Sequence, residues 1–454
     1  MEYYDEPAKK LPVSEYDVVV AGGGTAGVMA ATAAARRGAH TALIEIKGYV
    51  GGLVVEGGTA LHSYYNLWKA FPGVEKRQVV KGIPLEIIDR LSAVGGTTGH
   101  SEMTAGFDYD SVCTAIDTEL YKVAAFEMLT EAGVDVKVNT LLAGAVVDGS
   151  RVEGVITESR SGREMFRAHS FIDCTGYADL CGFAGAKYSE PNDYPVANSI
   201  GVGGVSLEEY HRFMESHGAL KESARGPRSG ERDKIVRVGG NTDKLPVDFV
   251  KEANAIGMMT VTSSVHDDYF MFIKLNYKMS VSPTNRDAAA KAEIELRHRQ
   301  QKAVELLRKH IPGCGKAFIT RTSPSLCIRR GRLVSCDYDI SLDDVLEGRH
   351  FDDDVMAYGF HDFAPRLQIK GGRTYGIPYR ALLITGLDNL FAAGMMITSD
   401  HDAHMSTRNT VCCMGQGQAA GTAAALCSAQ RCGSRELSYT SLRAALEEDG
   451  VYFE

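Results

Sequence analysis

Ser399-Asp400-His401-Asp402-Ala403-His404-Met405-Ser406-Thr407-Arg408 gathers two histidines, two carboxylates and an arginine in one short run. Side chains of these types can orient a polar substrate, polarise a carbonyl and relay a proton near neutral pH. The bland alternative is that they cap a helix and satisfy loop backbone. His401 and His404 are the candidates for proton transfer, and Arg408 for holding a cofactor or a substrate carboxylate. His62, in Ala60-Leu61-His62-Ser63-Tyr64-Tyr65, and Arg380, in Ile377-Pro378-Tyr379-Arg380-Ala381-Leu382, complete the catalytic candidates. Arg380, His361, Arg366, Tyr375 and Tyr379 are expected on the far wall of a pocket, with core tyrosines and surface ion pairs as the equal alternative.

A second chemistry is carried by glycines. Tyr16-Asp17-Val18-Val19-Val20 suits a buried parallel strand, and it runs into Gly22-Gly23-Gly24-Thr25-Ala26-Gly27. An alanine-rich helix, Val28 to Arg37, stops near Gly38, and Thr41–Glu45 is a second strand ending in an acid. This is strand, G-x-G-x-x-G, helix, strand, acid, with Glu45 lying 18 residues past Gly27. Gly22 permits the tight turn, Gly24 lets a pyrophosphate approach the backbone, and Gly27 lets helix and strand pack closely. The helix N-terminus offers unpaired N–H groups to phosphate, and Glu45 can accept from ribose hydroxyls.

The fingerprint alone fits NAD and FAD alike, so the remainder of the chain must separate them. After Glu45 comes Ile46-Lys47-Gly48-Tyr49-Val50-Gly51-Gly52-Leu53, a second glycine-rich loop where an NAD domain usually continues into another helix-strand unit. A glycine pair here suits a loop around the diphosphate and ribityl chain of a longer cofactor. Val134–Val138, Leu141–Val147 and Val152–Glu158 read as strands, with Asp148-Gly149 as a hairpin turn. Phe171–Cys174 is a strand ending in Thr175-Gly176, and Gly386–Asn389 turns into Leu390–Gly394. A small-residue helix follows, roughly Thr410 to Gln430, whose Gly415, Gly417 and Gly421 allow another backbone to press against it.

With these motifs in order along nearly the whole chain, the sequence resembles the two-dinucleotide-binding-domain flavoproteins, the FAD-dependent oxidoreductases of the glutathione reductase type. Gln78–Pro84, Ile328-Arg329, Asp343–Gly348, Ile377–Leu382, Ala403–Arg408 and Gly415–Gly421 match as well. The resemblance implies FAD, held by Gly22, Gly24, Thr25, Ala26, Gly27, Glu45, Lys47, Gly51, Gly52, Leu53, Leu142, Cys174, Thr175, Gly176, Asp179, Gly394, Asn409, Thr410 and Val411. It also implies that the closing helix aims its N-terminus, around Asn409–Cys412, at the N1/O2 edge of the flavin, where its dipole stabilises the charge of the reduced ring. His62 would then face the ring, and a pocket role is placed ahead of a covalent bond to FAD. The family pattern is broken at Met395-Met396, where an arginine is common. It is broken again at Arg329-Arg330-Gly331-Arg332-Leu333, which keeps only part of an arginine-rich run, and at Tyr177, where an acid is usual. These departures bear on the substrate more than on the cofactor.

The expected fold class is α/β: a Rossmann-like FAD-binding domain with parallel sheet and β-meander over 1–184 and 373–454. An α+β substrate or cap domain is inserted over 185–372, carrying an amphipathic helix Asp287–His310. Substrate would lie between cap and flavin, since pockets favour domain interfaces. The expected activity is that of a dehydrogenase or oxidase moving a hydride between a small polar molecule and flavin N5. The alternatives are an ene-reductase, with Arg408 or Arg380 holding a carboxylate, and a flavin-binding regulatory protein without turnover. The ionisable run His401–Arg408 speaks against the last. Disulfide reductase chemistry lacks a spaced cysteine pair near Gly51-Gly52, and aromatic hydroxylation lacks a second D-G motif in a fitting place.

Across its 454 residues the chain has 49 Lys+Arg against 58 Asp+Glu, a net charge of −9, which excludes a general nucleic-acid binder. With 44% hydrophobic and 24% charged residues it can bury a sizeable core. Its apolar runs are broken by glycines, so no membrane span is expected, and Met1–Lys10 does not read as a secretory signal. Ten cysteines without a C-x-x-C pair point to reduced, mostly buried thiols in a cytoplasmic protein, with no metal site. Cys412-Cys413 is read as core packing rather than a redox pair. No second G-x-G-x-x-G is present, which favours oxygen, a quinone or a carrier protein as the electron partner over NAD(P)H. Homo-oligomerisation is left open.

Overall fold

The β-branched run Val18-Val19-Val20 is fully buried within the strand Val13–Ala21. Thr41–Ile44 and Gly162–Asp173 pair with it in parallel on either side. The computed structural model describes residues 3–4, 6–58 and 60–454; Met1, Glu2 and Asp5 of the charged N-terminal run, and Thr59, lie outside the described residues. Asp135–Lys137 extends the sheet beyond Thr41–Ile44, and Leu390–Ala392 pairs in parallel with the end of Gly162–Asp173. The first half of Gly162–Asp173 instead takes Arg151–Ser159 as antiparallel partner, which hairpins onto Leu141–Asp148. One long strand thus serves both the parallel sheet and the meander. The sequence reading caught only its end, Phe171–Cys174, because its start carries Arg163 and Arg167 on an uncovered stretch.

The first helix, Thr25–Arg36, and the closing helix, Thr410–Gln430, pack directly on one another. A Cβ on Gly417 would stand 2.1 Å from the Ala26 carbonyl oxygen, and one on Gly421 2.1 Å from that of Ala30. The two backbones therefore touch, which only glycine at these positions permits. The closing helix is buried nearly all round, which explains why its sequence shows no amphipathic period.

A second core lies over the carboxyl end of this sheet. Val196–Gly203 is flanked by antiparallel Tyr269–Tyr277 and Phe318–Thr322. The long helix Arg286–His310, capped by the Asn285 side chain, packs its Leu296 and Leu307 into that core beside Phe270 and Ile273. A six-stranded sheet joins Leu220–Arg228, Glu231–Gly240 and Val261–Ser263 to Leu61–His62, Ser101–Ala105 and Val112–Thr114. The expected cuts at 184/185 and 372/373 are therefore crossed in both directions. Residues 61–114 contribute strands to the cap, whereas Val334, Ile340, Val345, Val355 and Tyr358 bury in the core of the dinucleotide unit. Strand pairing between distant segments decides such membership, and a linear reading of motifs does not contain it.

Candidate functional site

The parallel strands end in register: Ala21 lies opposite Ile44 and Asp173, Ile44 opposite Lys137, and Asp173 opposite Ala392. Each motif loop leaves the sheet at this one edge, which is where α/β folds bind nucleotides. Gly22, at φ +96°, turns the chain with no room for a Cβ, which would lie 2.6 Å from the Cys174 carbonyl oxygen. Gly24 differs, because a Cβ there would meet no protein atom closer than 3.9 Å; its open side faces a cavity. The helix that starts at Thr25 has no side-chain cap, so its first N–H groups are left for a ligand.

The second glycine loop docks on the first. Gly51 N–H donates to the Gly23 carbonyl at 2.8 Å, and Thr25 Oγ1 donates to the Gly51 carbonyl at 3.4 Å. Glu45 accepts from the N–H groups of Gly23 and Lys47, both at 2.8 Å, and burial raises its carboxyl above the ordinary range. Asp173 ties the third loop: it accepts from Thr175 N–H and Oγ1 and from Cys181 N–H. Gln416 joins the last loop to the closing helix, accepting from Gly394 N–H at 2.8 Å and donating to the Thr407 carbonyl at 2.8 Å.

These loops enclose a cleft of about 400 Å³. Gly22, Gly24, Thr25, Ala26, Glu45 and Lys47 form its wall at one part of the sheet edge, with Gly52, Leu53 and Leu142. Cys174, Thr175, Gly176, Asp179, Gly394 and Thr410 continue the wall to the closing helix. Gly27 and Gly51 stand behind this wall as packing positions, where a Cβ would lie 1.8 Å from the Gly22 oxygen and 2.4 Å from Val55 respectively. Val411 is wholly buried behind the wall, and Asn409 opens instead on a neighbouring cavity while accepting from Tyr358 Oη at 2.9 Å. An elongated cleft with an uncapped helix, an acid at the ribose position and a glycine-lined floor fits FAD.

The neighbouring cavity, about 410 Å³, lies between the cap and the closing helix. Leu53, Ile328, Arg408 and Thr410 line both spaces. His62 lines the second cavity: its Nδ1 pairs with buried Asp110 at 3.0 Å, and its ring stacks on Phe360 at 5.5 Å between centroids. Asp110 also accepts from Ser63 N–H, so the carboxylate and ring are fixed together. Arg408 forms an ion pair with Asp362 and lies over the Tyr194 ring. Although burial pushes the Asp362 carboxyl up, Arg408, Arg329 and Lys274 hold it below the usual carboxylate range.

The other catalytic candidates are placed differently. His404 is wholly buried outside both cavity walls, its Nε2 at 2.7 Å from the Met395 carbonyl; burial, then Arg408 and Arg330, drive its pKa well down. It is a neutral core histidine beneath the site, which corrects the expectation of proton transfer. His401 is half-exposed, bonded to Asp402 and set against Phe363 and Tyr194 behind the second cavity. Arg380 stacks on Tyr338 and Phe351 and pairs with Asp353, away from both walls. Asp400 caps the helix His401–Thr407, as the bland alternative proposed. His361, Tyr375 and Tyr379 are buried and bonded to Asp402, Ser406 and Ser434, and Arg366 lies over Phe363. Cys412 and Cys413 are buried, with thiols raised by burial.

Sequence reasoning missed Asp110, Asp362, Tyr194, Lys274, Asn276 and Asn198 on or behind the second wall. A signal existed for two of them: Phe272, Lys274 and Asn276 share one face of the strand Tyr269–Tyr277, and polar residues break an apolar alternation there.

A family of FAD dependent oxidoreductases matches residues 17–446 of the chain. Among curated relatives, a digeranylgeranylglycerophospholipid reductase of Methanococcoides burtonii is 25% identical over 206 residues, covering 43% of this chain and 46% of that protein. The chain thus aligns with less than half the length of this relative. The solved structure of a geranylgeranyl bacteriochlorophyll reductase-like protein from Thermoplasma acidophilum is similar in fold, with a TM-score of 0.50 at 13% identity, over 96% of this chain and 83% of that one. No helix of the described residues is long and apolar enough to cross a membrane. The chain belongs to the FAD-dependent oxidoreductase family and is an oxidoreductase with FAD as its cofactor.

Proposed function

We propose that the enzyme moves a hydride between a small polar organic molecule, seated in the second cavity, and the flavin in the first. Bound FAD supplies a two-electron centre at N5. The observation that carries the reading is the shared wall: Leu53, Ile328, Arg408 and Thr410 face both spaces, so a ligand in one can meet the ring end of the other. His62 is the group that moves the proton. Asp110 holds its Nδ1, which leaves Nε2 without a protein partner among the described residues and facing a cavity that the ring lines. Arg408, steadied by Asp362, positions the polar end of the substrate at the seam. The uncapped start of the closing helix, Thr410, lies against the same seam, where its dipole favours negative charge.

Oxygen, a quinone or a carrier protein is the partner that exchanges electrons with the flavin in the other half-reaction. Ten free cysteines support a reducing, cytoplasmic setting. The test is anaerobic photoreduction of the holoenzyme followed by mixing with a panel of small oxo, hydroxy and unsaturated compounds, together with the reverse experiment on oxidised enzyme. At least one compound should change the flavin spectrum within the mixing time. A flavin that none oxidises or reduces overturns the reading.

A further inference from the structure

Resting on that hydride-transfer reading, we propose that the substrate is an organic acid whose carboxylate is bound by Lys274 and Arg329 in the second cavity. The wall of this cavity carries more cations than carboxylates, and two ion pairs leave a remainder. Arg237 closes on Glu222 at 2.6 Å, and Arg408 on Asp362. Lys221, Lys274 and Arg329 pair with no carboxylate among the described residues, and of the three Lys221 is exposed to solvent while the other two are half-buried. The contacts of Arg329 are neutral: Nη1 donates to Asn276 Oδ1 at 3.3 Å, and the guanidinium lies over the Tyr194 ring.

A half-buried charge that loses hydration without gaining a counter-ion is costly, and a ligand that brings one offsets that loss. Two further observations agree. Lys274 and Asn276 alternate on the cavity face of a strand that otherwise reads Tyr-Phe-Met-Phe-Ile-x-Leu-x-Tyr, so the lysine displaces what packing alone would place there. The cofactor's own phosphates belong at the Gly22–Gly27 turn in the other cleft, so they do not account for these cations. Burial and then Arg329 bring the Lys274 ammonium down to about 7, with Arg408 pushing the same way and Asp362 and Cys327 opposing. Burial and then Arg408 also lower Arg329. An arriving carboxylate relieves this mutual repulsion, and a planar guanidinium beside an ammonium suits its two oxygens.

The experiment titrates the oxidised holoenzyme with acetate, glycolate, succinate and benzoate, each against its amide, reading the flavin difference spectrum. Acids should bind at least about tenfold tighter than amides. Lys274→Met and Arg329→Met should each weaken acid binding by about tenfold or more while FAD content and amide binding hold. Acid binding to the wild type should weaken above about pH 7 as Lys274 loses its proton. Lys274→Arg should keep the affinity and abolish that pH dependence. Amides that bind as well as acids, or a Lys274→Met enzyme with wild-type acid affinity, overturn the proposal; if Arg329→Met fails to fold, the two Lys274 variants decide it. Acids that bind as described but never change the redox state of the flavin keep the anion site and overturn the hydride reading. Acids and their amides that change the redox state of the flavin equally well, in the wild type and in Lys274→Met alike, keep the hydride reading and overturn the anion site.

Discussion

Replacing Gly417 by alanine places a methyl group where the backbone of another helix already is. The new Cβ would lie 2.1 Å from the Ala26 carbonyl oxygen, whereas ordinary contact begins at 3.4 Å, so the helices must part by about 1.3 Å at this point. The oxygen belongs to one helix backbone and the Cβ is bonded directly to the other, so neither can rotate out of the way. Alanine gains about 0.8–1.0 kcal/mol in intrinsic helix propensity over glycine. Overpacking of a tight interface costs typically about 1–3 kcal/mol, and a backbone clash belongs at the upper end. The net effect is a loss of about 2 kcal/mol, and Gly421→Ala, with the same 2.1 Å approach to Ala30, should match it. Gly415→Ala is the control: its Cβ would meet the Met356 thioether at 2.5 Å, and that flexible end can move. Urea unfolding of the three holo variants, followed by circular dichroism and by flavin fluorescence, measures the ranking. The first two should show lower midpoints than Gly415→Ala, and they should release FAD earlier, because Ala26 sits in the first turn of the helix behind the phosphate loop. Gly417→Ala with a midpoint at or above that of Gly415→Ala would refute the seam.

Gly24→Val should fold yet purify without FAD. Its Cβ meets no protein atom within 3.9 Å, while the N–H groups it shields are worth about 1.5–3 kcal/mol for each charge-assisted bond, so two lost bonds weaken binding roughly 10²–10⁴-fold; full flavin content would remove the phosphate role. His62→Gln and Asp110→Asn should slow substrate-dependent flavin reduction by about 10²–10⁴ and about tenfold or more respectively, with FAD retained; wild-type rates in rapid mixing would exclude the pair. Burial lowers His100 to about 4, so between about pH 6.5 and 4 the unfolded chain takes up a proton that the folded one refuses. Stability from this group is therefore present above about pH 6.5 and is lost as pH falls towards 4. His100→Gln should flatten that acid limb of the urea midpoint, and an unchanged slope would show that the residue does not contribute.

Much of the cofactor cleft was legible because its chemistry is local. Gly22, Gly24 and Gly27 follow a strand and open a helix within one turn, and Glu45 ends the next strand, so spacing alone puts them at one edge. The closing helix could be bounded from composition, since its glycines and alanines have no role but close packing. His404 and His401 misled for the opposite reason: their types suit proton transfer, but the direction of a side chain depends on what its helix packs against. The turn of His401–Thr407 buries His404 beneath the Met395 loop instead of presenting it to the cleft.

The sequence by itself determined the dinucleotide edge, because that edge rests on contacts between residues near in the chain and on backbone conformations that one residue type allows; FAD and the helix that closes on it followed from the resemblance carried by motifs in order along nearly the whole chain. Only the tertiary structure decided which charges face the second cavity. His62 meets Asp110, Arg408 meets Asp362, and Lys274 and Arg329 come together from separate segments of the chain, while the pairing of Ser101–Ala105 with Leu220–Arg228 carries the His62 segment across the expected boundary onto the cap. Whether a charge on a cavity wall is paired or waiting for a ligand is a property of the fold's long-range packing, and no local pattern encodes it.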